Sequence, residues 1–181
     1  MDICPSARNG DLVRIAAVVA ALVLVAPAAA TPRGAAVSLS PLERGVLVDI
    51  NALRAQHHLQ PLRLSPALTE AACAHSEEME TDGYFAHDSF DGTAFWKRVR
   101  RFYPSTGWEY WSVGENLLWS SPGVDARGAL AMWLASPEHK RNMLDPSWRE
   151  IGISAVHELD APGIYRGLAV TIVTTDFGVR R

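Results

Sequence analysis

Three residues able to bind a divalent metal or move protons near neutral pH, His87, Glu115 and His139, stand in short polar clusters beside apolar segments. The clusters read Tyr84-Phe85-Ala86-His87-Asp88, Gly114-Glu115-Asn116 and Ser136-Pro137-Glu138-His139. Two imidazoles and a carboxylate leave one position open on a tetrahedral Zn²⁺, where a bound water can lose a proton. Their separations of 28 and 24 residues are not a local metal motif, and the helical H-E-x-x-H pattern is absent. Capping and turn roles are the competing reading of the same three residues. The sequence has no G-x-S-x-G elbow and no glycine-rich phosphate loop. Asp176-Phe177-Gly178 spells the kinase triplet without a catalytic loop before it, a coincidence in kinase terms.

The elements that must position these residues begin at Ser40. Ser40-Pro41-Leu42-Glu43 is a capping box with proline at the first helical position, and it opens a helix to about His58 with Leu42, Val46, Ile50, Leu53 and His57 in one stripe. Asn51 and Arg54 lie off that stripe, either on a solvated face or bridging to a neighbouring element. Ser65-Pro66 repeats the start signal, and Gly83 is a natural left-handed stop. The buried stripe of this second helix is Leu68, Ala71, Ala72, His75 and Met79, which makes His75 a buried structural histidine rather than a ligand. Cys73 points away from that stripe and reads as a small packing residue, not a nucleophile.

Gly92 to Arg101 forms a short amphipathic helix whose Lys97, Arg98, Arg100 and Arg101 read as a solvated basic face, with contact to an anionic surface as the alternative. All six tryptophans fall between Trp96 and Trp148, as core or as the wall of a groove. The uninterrupted apolar run from Ala129 to Ala135 predicts a helix covered on more than one face. Alternation at Ile151, Ile153 and Ala155 and again at Leu168, Val170 and Ile172, around the turn Asp160 to Gly163, predicts an antiparallel hairpin. Helices first and a hairpin last place the chain in the α+β class, helices on an antiparallel sheet.

At 181 residues the chain fits one domain plus appendages. Arg8 and Arg14 precede an apolar run from Ile15 to Val25, and Ala28-Ala29-Ala30 offers a cleavage site, so residues 1–30 read as a signal peptide cleaved near Ala30 and 31–39 as a tether. Pro27 and the small residues after it stop the run short of the ~20 residues that span a bilayer, so no membrane span is expected in the mature, secreted chain. Loss of Arg8, Arg14, Asp2 and Asp11 leaves 15 basic against 18 acidic residues and a net charge still of −3, with no basic patch to suggest a nucleic-acid partner. The same cut removes Cys4 and leaves Cys73 alone, so stability is expected from packing rather than an internal disulfide.

Taken together, six segments in order resemble the CAP superfamily (cysteine-rich secretory proteins, antigen 5, pathogenesis-related 1), and more closely its bacterial SCP-like secreted branch. They are Asn51-x-x-Arg54, Leu68 through Met79, Phe85-Ala86-His87 for the usual F-S-H, Gly114-Glu115-Asn116 for G-E-N, Trp133-x-x-Ser136-Pro137-Glu138-His139 for W-x-x-S-P-G-H, and Thr174-Thr175-Asp176-Phe177-Gly178 for T-Q-D-F-G. The likeness runs from about Pro41 to Gly178 and implies a three-layer α-β-α sandwich over residues 40–181, with His87, Glu115 and His139 in a cleft able in some members to hold zinc. Many relatives carry a further histidine on the last strand, where this chain has Thr171-Ile172-Val173, so the implied Zn²⁺, with His87 and His139 as ligands, is expected to bind more weakly. Three functions follow: a non-enzymatic module binding a lipid, sterol or peptide; a zinc-assisted hydrolase of a peptide or cell-wall substrate with Glu115 as general base; or turn residues without a ligand.

Overall fold

A computed structural model describes residues 38–181. Residues 1–37, which include the expected signal peptide and most of the expected tether, lie outside the described residues. The elements run α1 (Pro41–Gln56), β1 (Arg63–Leu64), α2 (Pro66–Asp82), α3 (Phe95–Phe102), β2 (Trp111–Ser120), α4 (Ala126–Leu134), α5 (Pro137–Met143), β3 (Glu150–Ala161) and β4 (Leu168–Arg180), with a 3₁₀ turn at Gly163–Tyr165. The sheet order is β1-β3-β4-β2, antiparallel except for the two-residue β1, which pairs parallel to β3. The fold is the α-β-α sandwich expected. The short parallel strand is an addition to it, because two residues carry no periodic signal.

Strand alternation sorts the side chains into two layers. On one face, Leu118, Ile151, Ile153, Val173, Phe177 and Val179 meet Val46, Ile50 and Leu53 of α1, Ala129 and Trp133 of α4 and Met143 of α5. On the other, α2 and α3 cover Val113, Leu117, Val170 and Ile172 with Leu68, Ala71, Met79 and Val99. Gly152 marks the closest approach: a Cβ there would lie 2.0 Å from the Leu68 carbonyl carbon, so only glycine lets α2 lie this low on the sheet.

Ser40 caps α1 with the full reciprocal box: its hydroxyl accepts from Glu43 N, and Glu43 Oε2 accepts from Ser40 N at 2.7 Å. Glu43 Oε1 also accepts from Ala155 N at 2.9 Å, so the cap ties α1 to the sheet. The two off-stripe residues of α1 are bridges. Arg54, with no exposed surface, donates to the carbonyls of Gln60, Met143 and Asp145, and Asn51 exchanges two hydrogen bonds with the Leu62 backbone.

Two expectations are corrected. The segment Ala129–Ala135 is not covered on several faces: α4 buries only Ala129 and Trp133, and Met132 is 43% exposed because that side forms the wall of a cleft. Glu115 is not in a turn but in the middle of β2. Cys73 is buried and is not a free thiol in the full-length chain. The expectation of a lone thiol applied to a chain without Cys4, which lies outside the described residues.

Candidate functional site

Gly114-Glu115-Asn116 builds the site through three different requirements. A Cβ on Gly114 would lie 2.7 Å from Asn142 Oδ1 and 2.9 Å from the Trp148 ring, so glycine is what lets α5 pack against β2. Asn116 points to that same face, where its Nδ2 donates to His139 O at 3.1 Å and its Oδ1 accepts from Asn142 Nδ2 at 2.9 Å. Asn142 Nδ2 also donates to Glu115 O at 3.2 Å. Alternation then turns Glu115 to the opposite face, under α2 and α3.

There the Glu115 side chain is 1% exposed and both its oxygens are engaged. His87 Nδ1 donates to Oε1 at 2.8 Å, and Arg98 Nη2 forms a very short ion pair with Oε2. Arg98 Nη1 donates to His87 O at 2.9 Å and to Ser89 Oγ at 3.3 Å, so one guanidinium fixes both the carboxylate and the loop that carries its partner. The loop is pinned again from α2, where the fully buried His75 donates from Nε2 to Ala86 O at 2.9 Å. The hydrogen bond to Glu115 holds the His87 imidazolium pKa above the ordinary value, against an opposing desolvation. Burial lowers that of His75.

Asp176 is the cross-strand partner of Glu115 and is fully buried. Neither of its oxygens has a hydrogen-bond donor among the described residues. Desolvation first, and the neighbouring Glu115 second, raise its pKa well above the carboxylate range. Burial beside a second carboxylate thus disfavours the charged form of Asp176.

His139 stands in the first turn of α5, whose N-cap Ser136 accepts from His139 N at 3.4 Å. Burial and the nearby His87 lower its pKa. It lines a cleft of about 270 Å³ at the outer edge of β2, with Phe85, Leu117, Trp119, Met132 and Trp133 as the apolar walls. The structure therefore brings His87 and Glu115 into direct contact and sets His139 beside them on the cleft rim.

Arg98 and Asp176 are not among the site residues expected from the sequence. Arg98 was readable: at 100° per residue it falls on the arc of Phe95, Val99 and Phe102, opposite Lys97, Arg100 and Arg101. Asp176 shows no such sign until β2 and β4 are placed in register.

For zinc, these residues offer two imidazoles, His87 and His139. The third expected ligand, Glu115, has no unengaged oxygen, and no group of three or more His, Cys, Asp or Glu side chains is arranged to hold a metal among the described residues. The set falls short of the three protein ligands of an open catalytic zinc site, and no step is assigned to a metal.

The layered architecture is shared with solved SCP-domain structures. An extracellular SCP-domain protein from Bacillus anthracis str. Ames has 26% identity and a TM-score of 0.56, over 80% of this chain and 45% of that one. An outer surface protein from Borrelia burgdorferi matches in fold, at 20% identity and a TM-score of 0.61, over 76% of this chain and 92% of that one. The model of the CAP family, described as the cysteine-rich secretory protein family, matches residues 47–165. The uncharacterized protein YkwD of Bacillus subtilis (strain 168) is 30% identical over 126 residues, 70% of this chain and 47% of its own length. This chain belongs to the CAP family. It spans less than half the length of the curated relatives it matches. Among the described residues no helix is long and apolar enough to cross a membrane.

Proposed function

We propose that this domain is a non-enzymatic ligand-binding module acting outside the cytoplasm, and that its ligand presents a short apolar group, an acyl segment or a pair of apolar peptide side chains. The observation that carries this reading is the cleft at the β2 edge: about 270 Å³, walled by Phe85, Leu117, Trp119, Met132 and Trp133, with Ser136 and His139 as its polar lining. Its volume lies just below the ~300–1,000 Å³ typical of sites for drug-sized ligands, which favours part of a lipid over a whole sterol ring system. The hydrolase alternative asks Glu115 to accept a proton from water, whereas its two oxygens are turned to His87 and Arg98. The polar cluster then serves as the rigid floor that holds the Phe85 loop against β2.

The test is titration with a fluorescent medium-chain fatty acid and with an apolar tripeptide, on wild type and Met132→Glu. Met132 is 43% exposed, so a carboxylate there leaves the core intact but charges the cleft wall. Saturable binding weakened at least tenfold by the substitution supports the reading. Equal affinity in the two proteins, or none for either probe, overturns it.

A further inference from the structure

One end of the molecule gathers cations and aromatic rings that the sequence holds about eighty residues apart. Trp96, Lys97, Arg100 and Arg101 share the exposed arc of α3, opposite the buried Arg98 and Val99. Beyond the helix, Arg180 at the end of β4 lies over the Tyr103 ring at 4.1 Å and the Trp108 ring at 5.2 Å. Arg181, joined to Tyr110 by two backbone hydrogen bonds, lies over that ring at 4.7 Å. Trp96 carries Lys97 at 5.4 Å and Arg100 at 5.3 Å. The acids nearby are Glu109, exposed beside Trp108; Asp88, which accepts from Phe95 N at the start of α3; Asp91, which faces Arg101; and Glu150, engaged by Arg63 and Tyr103. Cations therefore dominate this surface in a chain of net charge −3.

We propose that this surface docks on an anionic lipid bilayer. Lys97, Arg100, Arg101, Arg180 and Arg181 meet the phosphate headgroups, while Trp96, Trp108 and Tyr110, which are 38%, 45% and 41% exposed, sit at headgroup depth. Amphipathic rings beside basic side chains are the composition that partitions into an anionic interface. Single-stranded nucleic acid is the other polyanion to consider, but it is bound by stacking bases on open ring faces. Here a cation already lies over Trp96, Trp108 and Tyr110, which reduces the open ring face left for a base. The surface is separate from the β2-edge cleft, so the proposal does not depend on the ligand-binding reading.

The test is co-sedimentation of the full chain with phosphatidylcholine vesicles with and without phosphatidylglycerol, at low and high salt. The readout is the difference between the two vesicle types, because the apolar run from Ile15 to Val25 contributes to both. Wild type should bind the anionic vesicles in preference and lose that preference in high salt. Lys97→Ser, Arg100→Ser and Arg101→Ser together should lower anionic partitioning about a hundredfold. A second variant that takes one cation from each half of the surface, Lys97→Ser with Arg181→Ser, should lower it roughly twentyfold. Equal binding to neutral and anionic vesicles, unchanged partitioning of both variants, or tighter binding to single-stranded DNA than to the vesicles would overturn the proposal.

Discussion

Replacing Arg98 by Met removes the guanidinium paired with Glu115 and leaves a carboxylate whose side chain is 1% exposed, with His87 as its remaining partner and the fully buried Asp176 beside it. The Arg98 side chain is itself 5% exposed, so solvent does little to screen the pair. Breaking a buried ion pair from one side costs about 3–5 kcal/mol, because the surviving charge stays desolvated. At roughly 3 °C per kcal/mol for a domain of this size, melting should fall by about 10–15 °C. The companion variant Arg98→Met/Glu115→Gln removes both charges and should recover about half the loss or more, a coupling of about 2 kcal/mol. Urea unfolding of wild type, both single variants and the double variant closes the cycle. Should Arg98→Met fail to fold, a folded double variant carries the same information. A loss below about 1 kcal/mol in Arg98→Met, or a double variant no more stable than that single one, refutes the view that Arg98 neutralises Glu115.

Other perturbations follow from the same geometry. Asp176→Asn supplies an amide donor toward Glu115 and removes an acid whose folded pKa is raised. Its contribution is fully present below the ordinary ~3.8 and is lost as pH rises through the folded value, so the variant should be the more stable near neutral pH by about 1–3 kcal/mol, read by urea unfolding. The raised His87 pKa gives stability that is present below about pH 6.5 and lost as pH rises through the folded value; the stability difference between wild type and His87→Asn should therefore be larger at about pH 5.5 than at about pH 8.5. The lowered values of His75 and His139 act in the opposite sense, which is why that difference, not the wild-type profile alone, is the readout. Arg54→Ala leaves the Gln60, Met143 and Asp145 carbonyls without their donor and should cost about 2–4 kcal/mol in the same assay.

Much of this architecture was legible because local signals and tertiary need coincide. The Ser40 box, the Ser65-Pro66 start, the Gly83 stop and the alternation on β3 and β4 are short-range patterns that the packed structure keeps. Legibility failed where a residue's role depends on what crosses above it. Glu115 and Asp176 become a buried pair only through the β2–β4 register, whereas Arg98 was grouped with three surface cations although its helical angle already set it on the apolar arc of α3. The same limit hid the basic aromatic surface, because Arg180 and Arg181 lie far from the α3 cations in sequence and join them only in the fold. From Ala129 to Ala135 an uninterrupted apolar sequence suggested cover on more than one face, but the exposed Met132 shows that one apolar side was left to line a cleft.

The most direct measurement is methyl NMR of methionine-labelled protein during titration with a medium-chain fatty acid. Met132 lines the cleft, whereas Met79 and Met143 are fully buried in the cores on the two faces of the sheet. The ligand-binding account predicts saturable shifts of the Met132 methyl, with Met79 and Met143 nearly still. Shifts confined to Met79 or Met143, or no shift at all at saturating ligand, would contradict it.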